Sequence, residues 1–182
     1  MKVLNIHERE LEANHEQVGA LIDSLASVDD RLWPNHSWPR IQFDRPLSVG
    51  ADGGHGLIGY SVEEYEPALS INFRFTKPKG FKGFHAFEVL NKAQQSVSLR
   101  HTIEMTIRGS AFLSWPLLIR PLHDALIEDA LATAEASLGM IPKIQAWSPW
   151  VKLIRWVISG GKARSQISLE NLVQKTVRNC AR

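Results

Sequence analysis

The spacing of apolar residues changes period once, near residue 110, and this switch constrains the fold more than any other feature of the chain. Upstream of it, "SVSLRHTIEMTI" (residues 96–107) puts Val97, Leu99, Ile103, Met105 and Ile107 on one side. Ser98, Arg100, Thr102, Glu104 and Thr106 fall on the other, as in a half-buried strand. This run extends over about 95–109, and similar runs cover about 40–49, 55–66, 69–77 and 82–91, with "ADGG", "EPA" and "KPKG" as punctuation. Downstream, "SWPLLIRPLHDALIEDALATAEASLG" (114–139) repeats at 3.6 residues and stops at Gly139. Pro116 suits a first turn, whereas Pro121 either kinks this helix or marks a later start. Short links between the strands imply antiparallel pairing. A sheet curved around one long helix buries both apolar faces, so the predicted class is α+β with two layers.

The N-terminal part fits the same frame. A strand covers about 2–12, and Asn14 with Gln17 makes a capping box for a helix whose apolar face is Val18, Leu21, Ile22, Leu25 and Val28. "DRLWPNHSWPR" ends it through Pro34 and Pro39. With 182 residues, 44% of them hydrophobic and 22% charged, the chain is long enough for one good core plus an appendage. Residues 143–182 carry eight Lys/Arg against Glu170 alone, a net of +7 that leaves −5 for residues 1–142. The division expected is therefore a domain over 1–139 and a basic extension over 140–182. A lone cysteine, Cys180, excludes an internal disulfide and points to a reducing compartment. "MKVLNIHERELEA" reads as a strand rather than a signal peptide, and no apolar run approaches the roughly 20 residues of a membrane span, so the expected location is cytoplasmic.

His101 occupies the apolar register of its strand, where a polar ring needs a partner. On the preceding strand the same register holds His85, Phe87 and Val89. A loop centred on Ala93 sets Val89 opposite Val97, Phe87 opposite Leu99 and His85 opposite His101, with Cβ atoms roughly 4.5–5.5 Å apart. Ile71, Phe73 and Phe75 continue this face, and a Pro67–Ala68 turn adds Ile58, Tyr60 and Val62, so Tyr60 brings a hydroxyl to an apolar wall. On the long helix, Leu122, Leu126, Ile127, Ala130 and Ala134 face the core with His123 among them, while Asp124, Glu128 and Glu135 form a row expected to be solvated. His101 lies eight residues from the strand's end, roughly 26 Å or 17 helical residues, which puts Ala130 to Ala134 opposite it and His123 nearer the opening. No compact three-histidine metal site is expected, no carboxylate or cysteine joins the pair at ligand spacing, and no cofactor is implied. His101 stays open between a hydrogen-bonded core histidine, a ligand contact and a general base. His55 in "DGGHG" reads as a loop residue in glycines that lack the strand-to-helix setting of a phosphate cradle. His7, His15 and His36 carry no argument from the sequence.

The carriers of a resemblance are "GGHGLIGYSVEEYEPALSINFRFT", the two "WP" pairs before it and "SWPLLIRPLHDALIEDALATAEA" after it. Over residues 1–139 the chain resembles the START-like (SRPBCC) superfamily, which includes polyketide cyclase/dehydrase-type and lipid-transfer proteins. The resemblance implies a helix-grip fold and a hydrophobic ligand pocket more firmly than a reaction, since members share few invariant catalytic residues. The leading expectation is a binding or transport module for a small hydrophobic, aromatic or lipid-like ligand. Tyr60, His85 and His101 would orient it, His123 would lie at the opening, and Phe73, Phe87, Met105, Leu126 and Ala130 would wall it. The alternatives are a cyclase/dehydratase-like enzyme with His85 or His101 as general base and Tyr60 stabilising an enolate, and a membrane-associated lipid-handling accessory protein.

The extension contains an amphipathic helix, with Trp147, Trp150, Val151, Ile154 and Ile158 on one side, Leu153 and Trp156 widening the arc, and Ser148, Lys152, Arg155 and Ser159 opposite. Residues 145–158 are thus expected to pack on the domain, to join a homodimer or to touch a membrane. "SLENLVQKTVRN" suggests another short helix. No nucleic-acid-binding signature accompanies these basic residues.

Overall fold

The alternating runs form seven strands: β1 (Lys2–Leu11), β2 (Gln42–Phe43), β3 (Asp52–His55), β4 (Ile58–Glu66), β5 (Ser70–Lys77), β6 (Phe81–Asn91) and β7 (Val97–Ile107). They make one curved antiparallel sheet in the order β1-β7-β6-β5-β4-β3-β2. The computed structural model describes residues 1–92, 96–162 and 165–166. The strand expected over 40–49 shrinks to two residues, and "ADGG", expected as punctuation, instead supplies β3. The glycines there permit pairing: a Cβ on Gly53 would overlap the Gln42 carbonyl oxygen, and one on Gly54 that of Ile58.

The capping box forms as expected at α1 (His15–Asp23): Gln17 N–H donates to Asn14 Oδ1 (2.8 Å) and Asn14 N–H to Gln17 Oε1 (3.0 Å). Val18, Leu21, Ile22 and Leu25 enter the core, but Val28 lies beyond the helix and is exposed. Asp23, the last helical residue, accepts from Tyr65 Oη (2.8 Å) and Ala68 N–H (3.0 Å), tying α1 to the β4–β5 turn. The "WP" turn is organised by buried Asp30, which accepts from the N–H groups of Ala26, Leu32 and Trp33.

Two registers decide what faces the helix. Across β4 and β5, Tyr60 pairs with Phe75 and Val62 with Phe73 before a bulge at Glu63, so Tyr60 and Val62 point inward as expected. Across β6 and β7, Val89 pairs with Leu99 but Phe87 with His101 and His85 with Ile103. His85 is therefore not opposite His101: the strands are displaced by two residues from the expected register, and the histidines are diagonal. The expected centre of that loop, Ala93, lies outside the described residues.

The long helix starts earlier than its periodicity suggests, with α2 (Ala111–Ser114), a π-helical turn (Trp115–Ile119) and α3 (Arg120–Ser137). Arg120 N–H donates to the Trp115 carbonyl across the widened turn. Pro121 has no N–H to give the Leu117 carbonyl one turn back. That carbonyl accepts instead from Trp150 Nε1 (2.8 Å), on α4 (Pro149–Ile158). Trp147, Val151 and Ile154 turn into the body of the protein, while Trp150, Leu153, Trp156 and Ile158 are half-exposed. Arg155, expected on the solvated side, sits over the rings of Trp38 (4.0 Å) and Trp147 (4.2 Å) and donates to the Ser37 carbonyl. The second tail helix expected at 168–179, and Cys180, lie outside the described residues. Among the described residues no helix is long and apolar enough to cross a membrane.

Candidate ligand-binding site

A cavity of about 450 Å³ lies between the sheet and the long helix. Its wall is mainly apolar, with Trp33 and Trp38 from the "WP" turn, Phe75 and Ile103 from the sheet, and Leu122 and Leu126 from α3. Arg155 and Ile158 of α4 also reach it. The polar exceptions include four imidazoles, those of His55, His85, His101 and His123.

Three of these rings form a row. His101 Nε2 lies 3.4 Å from His85 Nδ1, and the ring centroids of His101 and His123 are 5.0 Å apart. His123 is thus beside His101, at the level where Ala130 to Ala134 were expected. The reason is the pair of element boundaries. His101 stands six residues before the true end of β7, about 20 Å, which a helix covers in about 13 residues. The roughly 17 residues expected were counted from Trp115; counted from Ala111, where the helix begins, the distance ends at about residue 124. His55 is the last residue of β3, not a free loop residue; its Nδ1 lies 3.0 Å from Tyr60 Oη and its ring is 4.8 Å from Trp33.

Of the residues singled out in the sequence, His85, His101, His123 and Leu126 line the cavity. Tyr60, Phe73, Phe87, Met105 and Ala130 are buried behind its wall. Tyr60 is spent on His55; Phe73 stacks on His85 (4.9 Å) and Phe87 meets His101 edge-on (4.6 Å). Met105 belongs to a second apolar cluster with Val3, Phe81 and Trp115. Ala130 is fully buried in α3. Tyr60, Phe73 and Phe87 thus pack against the imidazoles rather than forming the cavity surface.

Burial holds all four cavity histidines below their ordinary pKa. For His85 and His101 the depression is large, with neighbouring histidines adding to it; His55 is pushed down to about 3 by burial and then by His123. His123 is lowered by burial against the pull of Asp124. The rings are therefore neutral at neutral pH. Each keeps one N–H donor and one acceptor nitrogen. His85 Nε2, His101 Nδ1 and both nitrogens of His123 have no hydrogen-bond partner among the described residues.

This neutrality has a consequence for stability. Below about pH 6.5 the unfolded chain takes up protons that the folded chain refuses, so the contribution of these rings is present above that pH and lost as pH falls. Each ring that stays neutral removes up to about 1.4 kcal/mol per pH unit. Urea unfolding followed from pH 7 to about pH 5 is expected to show a steep fall, less steep in a His85→Phe variant. An unchanged unfolding free energy over that range would mean that the folded rings protonate freely.

Two polar clusters were not anticipated. The row Asp124, Glu128 and Glu135, expected in solvent, meets β1. His7 Nδ1 lies 2.8 Å from Glu128 Oε1 and His7 Nε2 3.1 Å from Asp124 Oδ1, while Arg9 donates to Glu128 (2.8 Å) and to fully buried Glu135 (2.9 Å). Burial opposes the His7 charge, but the two carboxylates outweigh it and raise its pKa to about 9. The signal was in "VLNIHEREL", where Asn5, His7 and Arg9 share the inward register of Val3 and Leu11. The second cluster centres on buried Asp129 of α3, whose Oδ2 accepts from Trp38 Nε1 (2.7 Å) and Trp147 Nε1 (2.9 Å), and whose Oδ1 accepts from Gln166 Nε2 (2.9 Å).

No family model and no curated protein matches the sequence. Solved structures do resemble it. A protein from Thermobifida fusca, determined by NMR in solution, superposes with a TM-score of 0.59 at 14% identity, covering 80% of this chain and 99% of that one. Norcoclaurine synthase from Thalictrum flavum, in complex with dopamine and hydroxybenzaldehyde, gives 0.57 at 15% identity, covering 79% and 90%. CalU16 from Micromonospora echinospora gives 0.54 at 12% identity, covering 87% and 92%. With the curved seven-stranded antiparallel sheet packed on the helix over 111–137, these superpositions establish the architecture. The chain has the START-like helix-grip fold.

Proposed function

We propose that this protein binds a small, mostly apolar and aromatic molecule carrying a hydroxyl or carbonyl group, and holds it in the cavity through the imidazoles of His85, His101 and His123. The observation that carries this reading is the set of buried ring nitrogens without partners on an apolar wall. A buried polar atom left unpaired is costly, and a ligand oxygen is the natural complement to it. The volume of about 450 Å³ lies in the range of small-molecule pockets. Norcoclaurine synthase, bound to dopamine and hydroxybenzaldehyde in a similar fold, supports ligands of this size and polarity. Binding precedes catalysis in this reading, because the strongly depressed pKa of His85 and His101 makes each a weak general base at neutral pH.

Trp33, Trp38 and Trp115 line the cavity, so tryptophan fluorescence reports its filling. Titration with hydroxybenzaldehyde is expected to quench the wild type, and toluene is expected to bind about 5-fold or more weakly for the lost hydrogen bond. A His101→Phe variant should lose the preference for the oxygenated compound while still admitting toluene. Equal affinities of both compounds for the wild type, or a preference that survives in both His101→Phe and His123→Phe, would overturn the assignment. Recovery of the compound unchanged indicates a carrier, whereas conversion indicates an enzyme.

A further inference from the structure

We propose that His7, His123 and Asp124 form a binding site for a divalent transition-metal ion of the zinc class, at the seam between β1 and α3. The donor atoms of these three residues lie within 4.8 Å of one another. His7 Nε2 is 3.1 Å and His123 Nδ1 3.6 Å from the same oxygen, Asp124 Oδ1. Tetrahedral zinc, with bonds of about 2.0–2.1 Å, separates its ligand atoms by about 3.3 Å. Two of the three edges therefore already have about the required length, and the third closes by at most about 1.5 Å. Two imidazoles and one carboxylate form a donor set suited to zinc and unsuited to calcium or magnesium.

The surroundings match what such a centre needs. The remaining nitrogen of His7, Nδ1, meets Glu128 Oε1 at 2.8 Å, the carboxylate contact that orients a metal-binding imidazole, and Glu128 is itself held by Arg9 at 2.8 Å. Asn5 Nδ2 donates to Asp124 Oδ1 (2.9 Å), and the other hydrogen bond of that oxygen, from the His7 Nε2 proton (N···O 3.1 Å), is the one a metal ion would displace. An independent observation is His123, whose side chain is 13% exposed and whose two ring nitrogens have no hydrogen-bond partner among the described residues. A core histidine kept for packing would find at least one.

His123 also lines the cavity, which ties the metal to the pocket. A metal on Nδ1 leaves the proton of the neutral ring on Nε2. His123 then becomes a committed donor to a ligand oxygen. This link rests on the ligand-binding reading above, whereas the metal site itself does not.

The test uses the full chain stripped with a chelator and titrated by calorimetry with zinc chloride, without any aromatic ligand. One equivalent is expected to bind, and cobalt in its place should show the visible bands of a four-coordinate ion. His123→Gln, which breaks no hydrogen bond among the described residues, and Asp124→Asn should each weaken zinc binding at least about 100-fold, and Glu128→Gln about 10–100-fold. His15→Gln, at a surface histidine remote from the seam, should change nothing. Absence of zinc uptake by the wild type overturns the proposal, as does undiminished binding by a folded His123→Gln variant. Because no aromatic compound is present, either failure leaves the fluorescence titration to decide the pocket by itself.

Discussion

An Arg9→Met variant is expected to be about 3–5 kcal/mol less stable than the wild type. Arg9 is the only guanidinium that bridges Glu128 and Glu135 among the described residues, at 2.8 and 2.9 Å. Glu135 has no exposed surface, and without Arg9 its carboxylate keeps, among the described residues, only the Lys143 N–H (2.7 Å). Breaking a buried pair from one side leaves a charge that neither water nor protein solvates, which is why the loss exceeds the value of the pair itself. For a chain of 182 residues this corresponds to a fall in Tm of about 10 °C. Urea unfolding of Arg9→Met and of the double variant Arg9→Met/Glu135→Gln separates the causes. The double variant should recover much of the stability, because the stranded charge is gone. A loss below about 1 kcal/mol in the single variant would mean that Glu135 does not depend on Arg9.

The second large effect is at Asp129. Asp129→Ala strands two buried indole donors, Trp38 Nε1 and Trp147 Nε1, each at about 1–3 kcal/mol. The total expected loss is about 2–6 kcal/mol. Its consequence is also local, since Trp147 leads into α4 and Arg155 sits over both indoles. Trypsin should cut after Lys143 or Lys152 faster in Asp129→Ala than in the wild type under native conditions. Asp129→Asn keeps one oxygen for the indoles and should lie between the two. Equal cleavage rates in all three proteins would show that Asp129 does not hold α4 in place.

These two clusters differ in how far the sequence foretold them. Asn5, His7 and Arg9 sit in phase with Val3 and Leu11, and Asp124, Glu128 and Glu135 recur at helical spacing, so both halves of the β1–α3 network were visible. Their pairing was not, because charged residues at helical spacing most often face water. Asp129 carried no signal at all. Its partners come from residues 38, 147 and 166, which only the folded chain brings together. Trp33 and Trp38 were recognisable as markers of the resemblance, yet their place on the cavity wall depends on the turn that Asp30 organises.

The alternation of apolar residues and its single change of period determined the order of elements and which side chains point inward. Both follow from local backbone geometry, where side chains alternate on a strand and repeat every 3.6 residues on a helix. The inward position of His85, His101 and Tyr60 belongs to this local information. Tertiary structure alone decided which inward residues meet. A slip of two residues between β6 and β7 leaves every face unchanged, so no pattern of polarity could choose between His85 opposite Ile103 and His85 opposite His101. Likewise, β1 beside β7 and a helix that begins at Ala111 brought His7 and His123 to the same level as His101. Long-range pairing and a four-residue shift in one helix start set those contacts, and neither leaves a trace in local periodicity.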